Sequence, residues 1–236
     1  MNAIGLNPIK LDAIGLDPIR MNAIRLGVPG ASSGSGRPYI DPELLSHVKM
    51  AISTWGKTND DPDRAVLKDL SGNGNDMRLL NFGFAEGSGY GLPGTDFEGW
   101  LCTDGVDDII VSVKPVSEML EGSNEFTVIS IIHYINANSG IATVSNNFIG
   151  DLGGKGVYAR NSFSASETNK TGIYGYTYNI PDRRKTVIGI LGDEKDYAIT
   201  DGINVNCIDE FTVNGFRYSD LSIKEVTQIA YAGGFI

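Results

Sequence analysis

Two groups of oxygen-bearing side chains in this chain have the spacing of cation ligands. Asp69-x-Ser71-x-Asn73-Gly74 sets three oxygen donors on alternate residues ahead of a glycine, as in the first half of a calcium loop. Asp104, Asp107 and Asp108 place three carboxylates within five residues. The first group does not complete an EF-hand, because its twelfth position is Leu80 where that loop needs a bidentate Glu. Both groups also suit a metal-free alternative, since Asp, Ser, Asn and Gly close Asx turns on their own backbone. Calcium is the one cofactor suggested, with Asp69, Asp104, Asp107 and Asp108 as candidate ligands.

A second kind of chemistry is aromatic. Tyr174, Tyr176 and Tyr178 alternate, so a strand carries all three on one face and Ile173, Gly175 and Thr177 on the other. Three rings in line could stack on the apolar faces of sugars. The alternative is that they pack between two sheets or against a helix. Nucleophilic chemistry has little support. Gly30-Ala-Ser-Ser-Gly34 matches a nucleophile elbow in letters only, because a Gly/Ser-rich stretch surrounds it instead of a strand and a helix. His47 and His133 are too few and too far apart for a histidine metal site. Cys102 and Cys207 could pair, but they read better as two free, buried thiols. The acidic run 193–196 reads as a turn between strands, and the polar segment 160–172 as a surface loop.

The elements that would position these groups are mostly strands. Alternating or continuous apolar runs, separated by Gly, Asn and Asp, predict strands at 108–113, 126–135, 140–145, 172–179, 186–191, 197–200 and 209–215. Thirty glycines, many at turn positions, favour a sandwich over an α/β fold. Two helices are expected. One follows Asp41 as N-cap and Pro42 at the first turn, with Leu44, Leu45, Val48, Ile52 and Trp55 as its stripe and Gly56 as its stop. The other covers 219–230, with Leu221, Ile223, Val226 and Ile229 as its apolar set. Phe235 and Ile236 form an apolar tail that could enter the core or meet a neighbour.

Ahead of all this lies a five-residue repeat. Ile4, Ile9, Ile14, Ile19 and Ile24 each stand two residues before Leu6, Leu11, Leu16, Met21 and Leu26, and Asn or Asp then Pro or Ala follow four times. Pro8 and Pro18 argue against a helix. Ile-x-Leu puts two apolar side chains on one face of an extended segment, and Asn/Asp-Pro/Ala bends it. Ten aliphatic side chains could supply roughly 15–30 kcal/mol of burial at best. Ordering the backbone costs about 1–2 kcal/mol per residue. The two nearly cancel for a lone segment, so burial against other chains is expected. Residues 1–28 therefore read as an assembly or anchoring arm, 29–38 as a Gly/Ser linker, and 39–236 as one β-rich domain.

Charge narrows the partners. The net charge is −10; Lys10, Arg20, Arg25 and Arg37 outnumber Asp12 and Asp17 in residues 1–40, which leaves the body more acidic still. An acidic body disfavours nucleic acid and anionic membranes. Lys10, Asp12 and two prolines interrupt any signal-peptide core at the amino terminus, and no apolar run spans a bilayer. Synthesis in a cytoplasm, without membrane insertion, is the expectation.

Three stretches resemble one family. Trp55 followed by Asp69-Leu-Ser-Gly-Asn-Gly-Asn-Asp76 and Leu80-Asn-Phe82 is similar to the opening of laminin-G-like, concanavalin-A-like jelly rolls. Thr103-Asp-Gly-Val-Asp-Asp-Ile-Ile110 resembles their Asp-Gly-x-Asp-Asp strand entry. Ile208-Asp-Glu-Phe-Thr-Val213, with Tyr218-Ser-Asp-Leu221 and Glu225, resembles their closing strand and its small helix. The variant with Lys57-Thr-Asn-Asp-Asp-Pro-Asp-Arg64 and Gly87-Ser-Gly-Tyr-Gly91 is similar to jelly rolls on virion proteins of phages that infect gut Bacteroidales. Those proteins often begin with Ile-x-Leu-Gly repeats, which Ile24-Arg-Leu-Gly27 resembles.

The resemblance implies an all-β, concanavalin-A-like jelly-roll sandwich with one or two short helices, carried by a phage fibre or decoration protein. It implies calcium at loop ends in some members. Jelly-roll glucanases, by contrast, carry Glu-x-Asp-x-Glu on one strand for glycoside hydrolysis, and that pattern is absent here, so no catalytic residue is assigned. The expected partners are other copies of the chain as a homotrimer, other virion proteins and a host surface glycan. The alternative is a carbohydrate-binding module of a bacterial surface or secreted system, which would be a monomer made with a signal peptide.

Overall fold

A computed structural model describes residues 46–136, 141–152, 155–164, 170–191, 196–204 and 206–236. The pentad arm, the linker and residues 193–195 of the acidic run lie outside them. In chain order the elements are β1 (Ala51–Ser53), β2 (Val66–Leu67), β3 (Met77–Leu80), β4 (Gly89–Tyr90), β5 (Leu101–Cys102), β6 (Ile109–Ser112), α1 (Val116–Met119), β7 (Glu125–Asn136), β8 (Ile141–Ile149), β9 (Lys155–Ser164), β10 (Lys170–Asn179), β11 (Arg184–Leu191), β12 (Asp196–Asn204), β13 (Phe211–Val213), β14 (Phe216–Arg217), β15 (Ile223–Lys224) and β16 (Gln228–Phe235).

Two seven-stranded antiparallel sheets make a jelly-roll sandwich. The first runs β11-β10-β7-β16-β5-β4, with β1 also paired to β16; the second runs β12-β9-β8-β13-β6-β3-β2. Consecutive strands are split between non-adjacent positions, as when β13 inserts between β6 and β8. The alternation of each strand decides what it buries. Val128, Ile132 and Tyr134 of β7 join Tyr174, Tyr176 and Tyr178 of β10 and Tyr231 of β16 on the inner face of the first sheet. Ile110, Ile149, Val157, Ala159 and Val213 from the second sheet complete the same core. Residues Val48–Ile236 form one compact unit.

Both expected helices are corrected. Within 42–55, the described residues carry β1, whose Ala51, Ile52 and Ser53 pair with Phe235, Gly234 and Gly233. Val48, Met50 and Ile52 are all buried while Trp55 is 46% exposed. The segment therefore obeys a period of two through Met50, which the helical stripe ignores. The second correction covers 219–230. Leu221 and Glu225 adopt positive φ, 68° and 60°, which ends any helix there. Ile223 pairs with Arg217, and Ile229 enters the ladder of β16. Only the four-residue α1 is helical among the described residues, and its amino end is held from a distance: Asp209 Oδ1 accepts the Val116 N–H at 2.9 Å.

The tail settles inside. Ile236 is buried, its carbonyl accepts the Lys49 N–H at 2.7 Å, and Phe235 is partly exposed. Glycine is needed just before it, since a Cβ on Gly234 would lie 2.3 Å from the Ile129 carbonyl oxygen and one on Gly233 2.4 Å from that of Ile52. That lets β16 run between β7 and β1. The expected surface loop at 160–172 is instead largely strand: β9 continues to Ser164 and β10 begins at Lys170. β9 is held by ladders on both sides, from β8 and β12, which a polar sequence cannot advertise.

One edge of the sandwich is tied by charge. Asp201 on β12 accepts from Lys185 of β11 at 2.9 Å, from Arg183 at 3.2 Å and from the Tyr178 hydroxyl at 3.2 Å. This links the edge strands of the two sheets.

Candidate functional site

Asp69 is fully used by the backbone around it. Its Oδ1 accepts the N–H groups of Ala51 (3.0 Å) and Ser71 (2.9 Å). Its Oδ2 accepts the Ser71 hydroxyl (2.8 Å) and the Asn75 N–H (3.0 Å). Asn73 and Asn75 donate to carbonyls of Val48 and Lys49, and Asp76 Oδ1 accepts the Asp69 N–H. Four donors already converge on the carboxylate, so Asp69 is corrected from a cation ligand to the centre of a turn that fastens β1 to the loop before β3.

The other acidic group is built differently. The 103–108 loop joins β5 in the first sheet to β6 in the second. Thr103 clamps its start: its hydroxyl donates to the Thr227 carbonyl at 2.8 Å and accepts the Ile229 N–H at 2.9 Å. Gly105, at φ 76°, turns the chain so that Asp104 Oδ1 accepts the Val106 N–H at 2.8 Å. Asn81 and Asn214 donate to the carbonyls of Asp107 and Asp108, at 2.9 and 3.0 Å. The loop is thus fixed by two side chains from other segments, Asn81 and Asn214, and by its own Thr103 hydroxyl on the backbone of Thr227 and Ile229.

Asp104, Asp107 and Asp108 each bring one carboxylate oxygen to within 4.8 Å of the others. Asp104 and Asp107 are exposed, whereas Asp108 is fully buried. Asp108 Oδ2 accepts the Asp104 N–H at 2.9 Å, and its Oδ1 has no hydrogen-bond partner. Burial pushes the Asp108 carboxyl up to about 6; the Asp104 N–H and the Ser88 hydroxyl pull it down, and the charges of Asp104 and Asp107 raise it further.

Tyr174, Tyr176 and Tyr178 do share one face, but it is the inner one. Tyr174 and Tyr176 are fully buried and Tyr178 nearly so. Tyr174 meets Tyr134 edge-on at 5.8 Å, and Tyr176 meets Phe126 edge-on at 6.2 Å. No ring face is offered to a sugar, so the stacking row is corrected to core packing. Among the described residues Trp55 instead carries an exposed indole, beside Thr54, whose hydroxyl donates to the Gly99 carbonyl at 2.7 Å.

A smaller apolar cluster on the opposite face of the first sheet went unread in the sequence. Trp100, Cys102 and Ala230 are buried there, with Phe97, Ile131, Ile135 and Ala232 against them. The Phe97 ring sits 4.9 Å from that of His133, whose Nδ1 is 2.6 Å from the Thr171 hydroxyl. The nearly continuous apolar run through 128–135, interrupted at Ser130 and His133, signals a strand covered on both faces. Both cysteines are free thiols, as expected, but only Cys102 is buried; Cys207 is half-buried. Burial pushes Cys102 up to about 11; burial, then the Glu210 charge, push Cys207 up to about 12, so neither is a ready nucleophile.

No family model matches the chain, and no curated protein matches it. Among solved structures it is similar to the binding domain of botulinum neurotoxin DC in complex with rat synaptotagmin II, at 12% identity and a TM-score of 0.46, over 81% of this chain and 48% of that one. The same neurotoxin domain in complex with SialylT gives 14% identity and a TM-score of 0.44, over 81% and 48%. The binding domain of botulinum neurotoxin serotype D/C gives 11% identity and 0.46, over 81% and 49%. This chain spans about half the length of those chains. Values this low assign no role to any of its residues.

Proposed function

We propose that this chain is a non-enzymatic structural protein of a phage particle, a fibre or decoration protein whose arm joins it to copies of itself and to other virion proteins. The observation that carries the reading is the Ile-x-Leu/Met-Asn/Asp-Pro/Ala repeat, set by a Gly/Ser linker ahead of a sandwich. Ten aliphatic side chains on so short a segment need a second chain to bury them. A trimer is the expected state. The sandwich projects outward as a recognition body for a host surface glycan. Trp55 is the ring proposed for stacking, in place of the buried tyrosines.

The charged groups support a structural reading. Glu210 and Arg217 hold each other in a bidentate pair, Asp201 ties two edge strands, and Asp209 holds a helix end.

Sedimentation tests the arm. The full chain should run as a trimer and a chain starting at Arg37 as a monomer; a monomeric full chain removes the assembly role and favours the carbohydrate-binding module. A glycan array tests the sandwich, with Trp55→Ala expected to lose at least about tenfold in any affinity found. Localisation in a particle reconstruction decides the virion role.

A further inference from the structure

We propose that β11 is the docking edge for the pentad arm of a neighbouring copy, which adds to the first sheet as one more strand. The inference rests on the assembly role proposed above and names the surface the arm takes. Among the described residues, β11 closes one end of the first sheet and pairs only with β10. β12 closes the second sheet on the same side of the sandwich, since its Asp201 is bonded to Lys185 of β11 and Tyr178 of β10. These two edges are eight and nine residues long, whereas the opposite ends, β4 and β2, have two residues each. Short edges resist pairing with another chain, and long ones invite it. β12 is blunted by charge at Asp196 and Asp201. β11 is charged only at Arg184 and Lys185, its first two residues. From Thr186 to Leu191 it has neither charge nor proline, and Thr186 and Val187 are exposed. Such a run on an open edge is an aggregation hazard until something covers it.

The chain itself supplies a matching occupant. Proline and alanine alternate in the pentad, at Pro8, Ala13, Pro18 and Ala23, so proline recurs every second unit. Between Pro8 and Pro18 lies Ile9–Asp17, in which every residue has a backbone N–H to give to a ladder. At about 3.3 Å per residue that stretch and β11 have nearly the same length, roughly 26–30 Å. In strand addition the main chain supplies affinity and alternate side chains supply specificity. Ile9 and Leu11 fall on one face of the added strand, and Ile14 and Leu16 on the other. The sheet beside β11 suits both pairs, being uncharged inward at Tyr174 and Tyr176 and outward at Ile173, Gly175 and Thr177. Charge selects the direction. Ile9–Asp17 carries Lys10 against Asp12 and Asp17, and antiparallel addition brings Asp17 to the exposed Arg184. Residues 29–45 reach at most about 56–61 Å, more than the roughly 29–34 Å width of a seven-stranded sheet, enough to reach a neighbour. Arm and edge are different surfaces, so the contact runs head to tail, and such a contact closes into a ring, here of three.

The test compares the full wild-type chain with the chain starting at Arg37, which keeps the compact unit Val48–Ile236, by sedimentation and amide hydrogen exchange. The expected result is a full-length trimer in which those amides of Thr186–Leu191 that point away from β10 exchange at least about tenfold more slowly than in the shorter chain, while β12 amides change less than about twofold. Thr186→Lys with Val187→Lys, both at exposed positions, puts charge on the edge and should weaken the full-length trimer at least about tenfold. A full-length trimer whose β11 amides exchange as fast as in the shorter chain, or whose added protection falls on β12, overturns this proposal and leaves the assembly role of the arm standing. A trimer of undiminished strength in the double-lysine variant does the same. A monomeric full chain overturns both.

Discussion

Asp69→Asn separates a turn-forming carboxylate from a metal-binding one. Asn presents one oxygen and one NH₂ where Asp69 presents two oxygens, each with two donors. In the better orientation the NH₂ faces Ser71 Oγ and the Asn75 N–H. The Ser71 hydroxyl can rotate and accept, but the Asn75 N–H is left without its acceptor. An orphaned buried donor costs about 1–3 kcal/mol. The two N–H groups still bonded to the remaining oxygen lose charge assistance, about 1 kcal/mol each. The sum is about 3–5 kcal/mol, and it is felt directly at β1, because Ala51 is one of the donors. For a domain of this size that lowers Tm by roughly 6–20 °C. Urea and thermal unfolding of the purified variant measure it, with and without calcium. A loss below about 1 kcal/mol, or a wild-type Asp69 contribution that appears only with calcium present, refutes the turn assignment.

Other perturbations test neighbouring steps. Glu210 is buried and takes two bonds from Arg217, so Glu210→Gln should destabilise by about 3–5 kcal/mol in denaturant melts, while Glu210→Leu with Arg217→Met should recover much of that. Tyr176→Ala removes a fully buried ring and should cost about 3–5 kcal/mol in the same assay with no selective loss of glycan affinity; a sugar-binding defect in a stable variant would contradict the core placement. Gly91→Ala would put a Cβ 1.9 Å from the Phe97 carbonyl oxygen and should destabilise by roughly 2–4 kcal/mol, read as a shift in urea midpoint. At Asp201, burial alone would raise the pKa, but bonds and charge from Lys185, with bonds from Tyr178 and Arg183, outweigh it and hold the carboxyl below its ordinary range. The unfolded chain then takes up the proton first as pH falls. The stability difference between wild type and Asp201→Asn, about 1 kcal/mol for so accessible a group, should be constant above about pH 5 and vanish as pH drops through 4 and below.

Strands whose apolar alternation is strong were legible: 126–135 and 172–179 agree closely with β7 and β10. What failed was the choice between two periods in short segments. Val48, Ile52 and Trp55 satisfy a helical spacing, and Val48, Met50 and Ile52 a strand spacing. The tie is broken by β16, some 180 residues later, whose free edge supplies the hydrogen bonds. The 219–230 segment failed for the same reason, with positive φ at Leu221 and Glu225 invisible in letters. The tyrosine row was correctly placed on one face, but a strand pattern does not say which face is inward. Asp69 and Asp108 illustrate the same limit for the site, since both sit in Asp/Asn/Gly turns and differ only in what the fold brings to them.

That difference is a count of donors. A carboxylate that shapes a turn is satisfied by donors, because the turn exists to bring them; Asp69 has three N–H groups and one hydroxyl. The 103–108 loop is built otherwise: the Asn81 and Asn214 side chains take its carbonyls, the Thr103 hydroxyl donates to the Thr227 carbonyl, and Asp108 Oδ1 is buried without a donor. Adding a donor there should therefore act oppositely to adding one at Asp69. Asp108→Asn removes a buried charge, so in denaturant melts it should cost far less stability than Asp69→Asn.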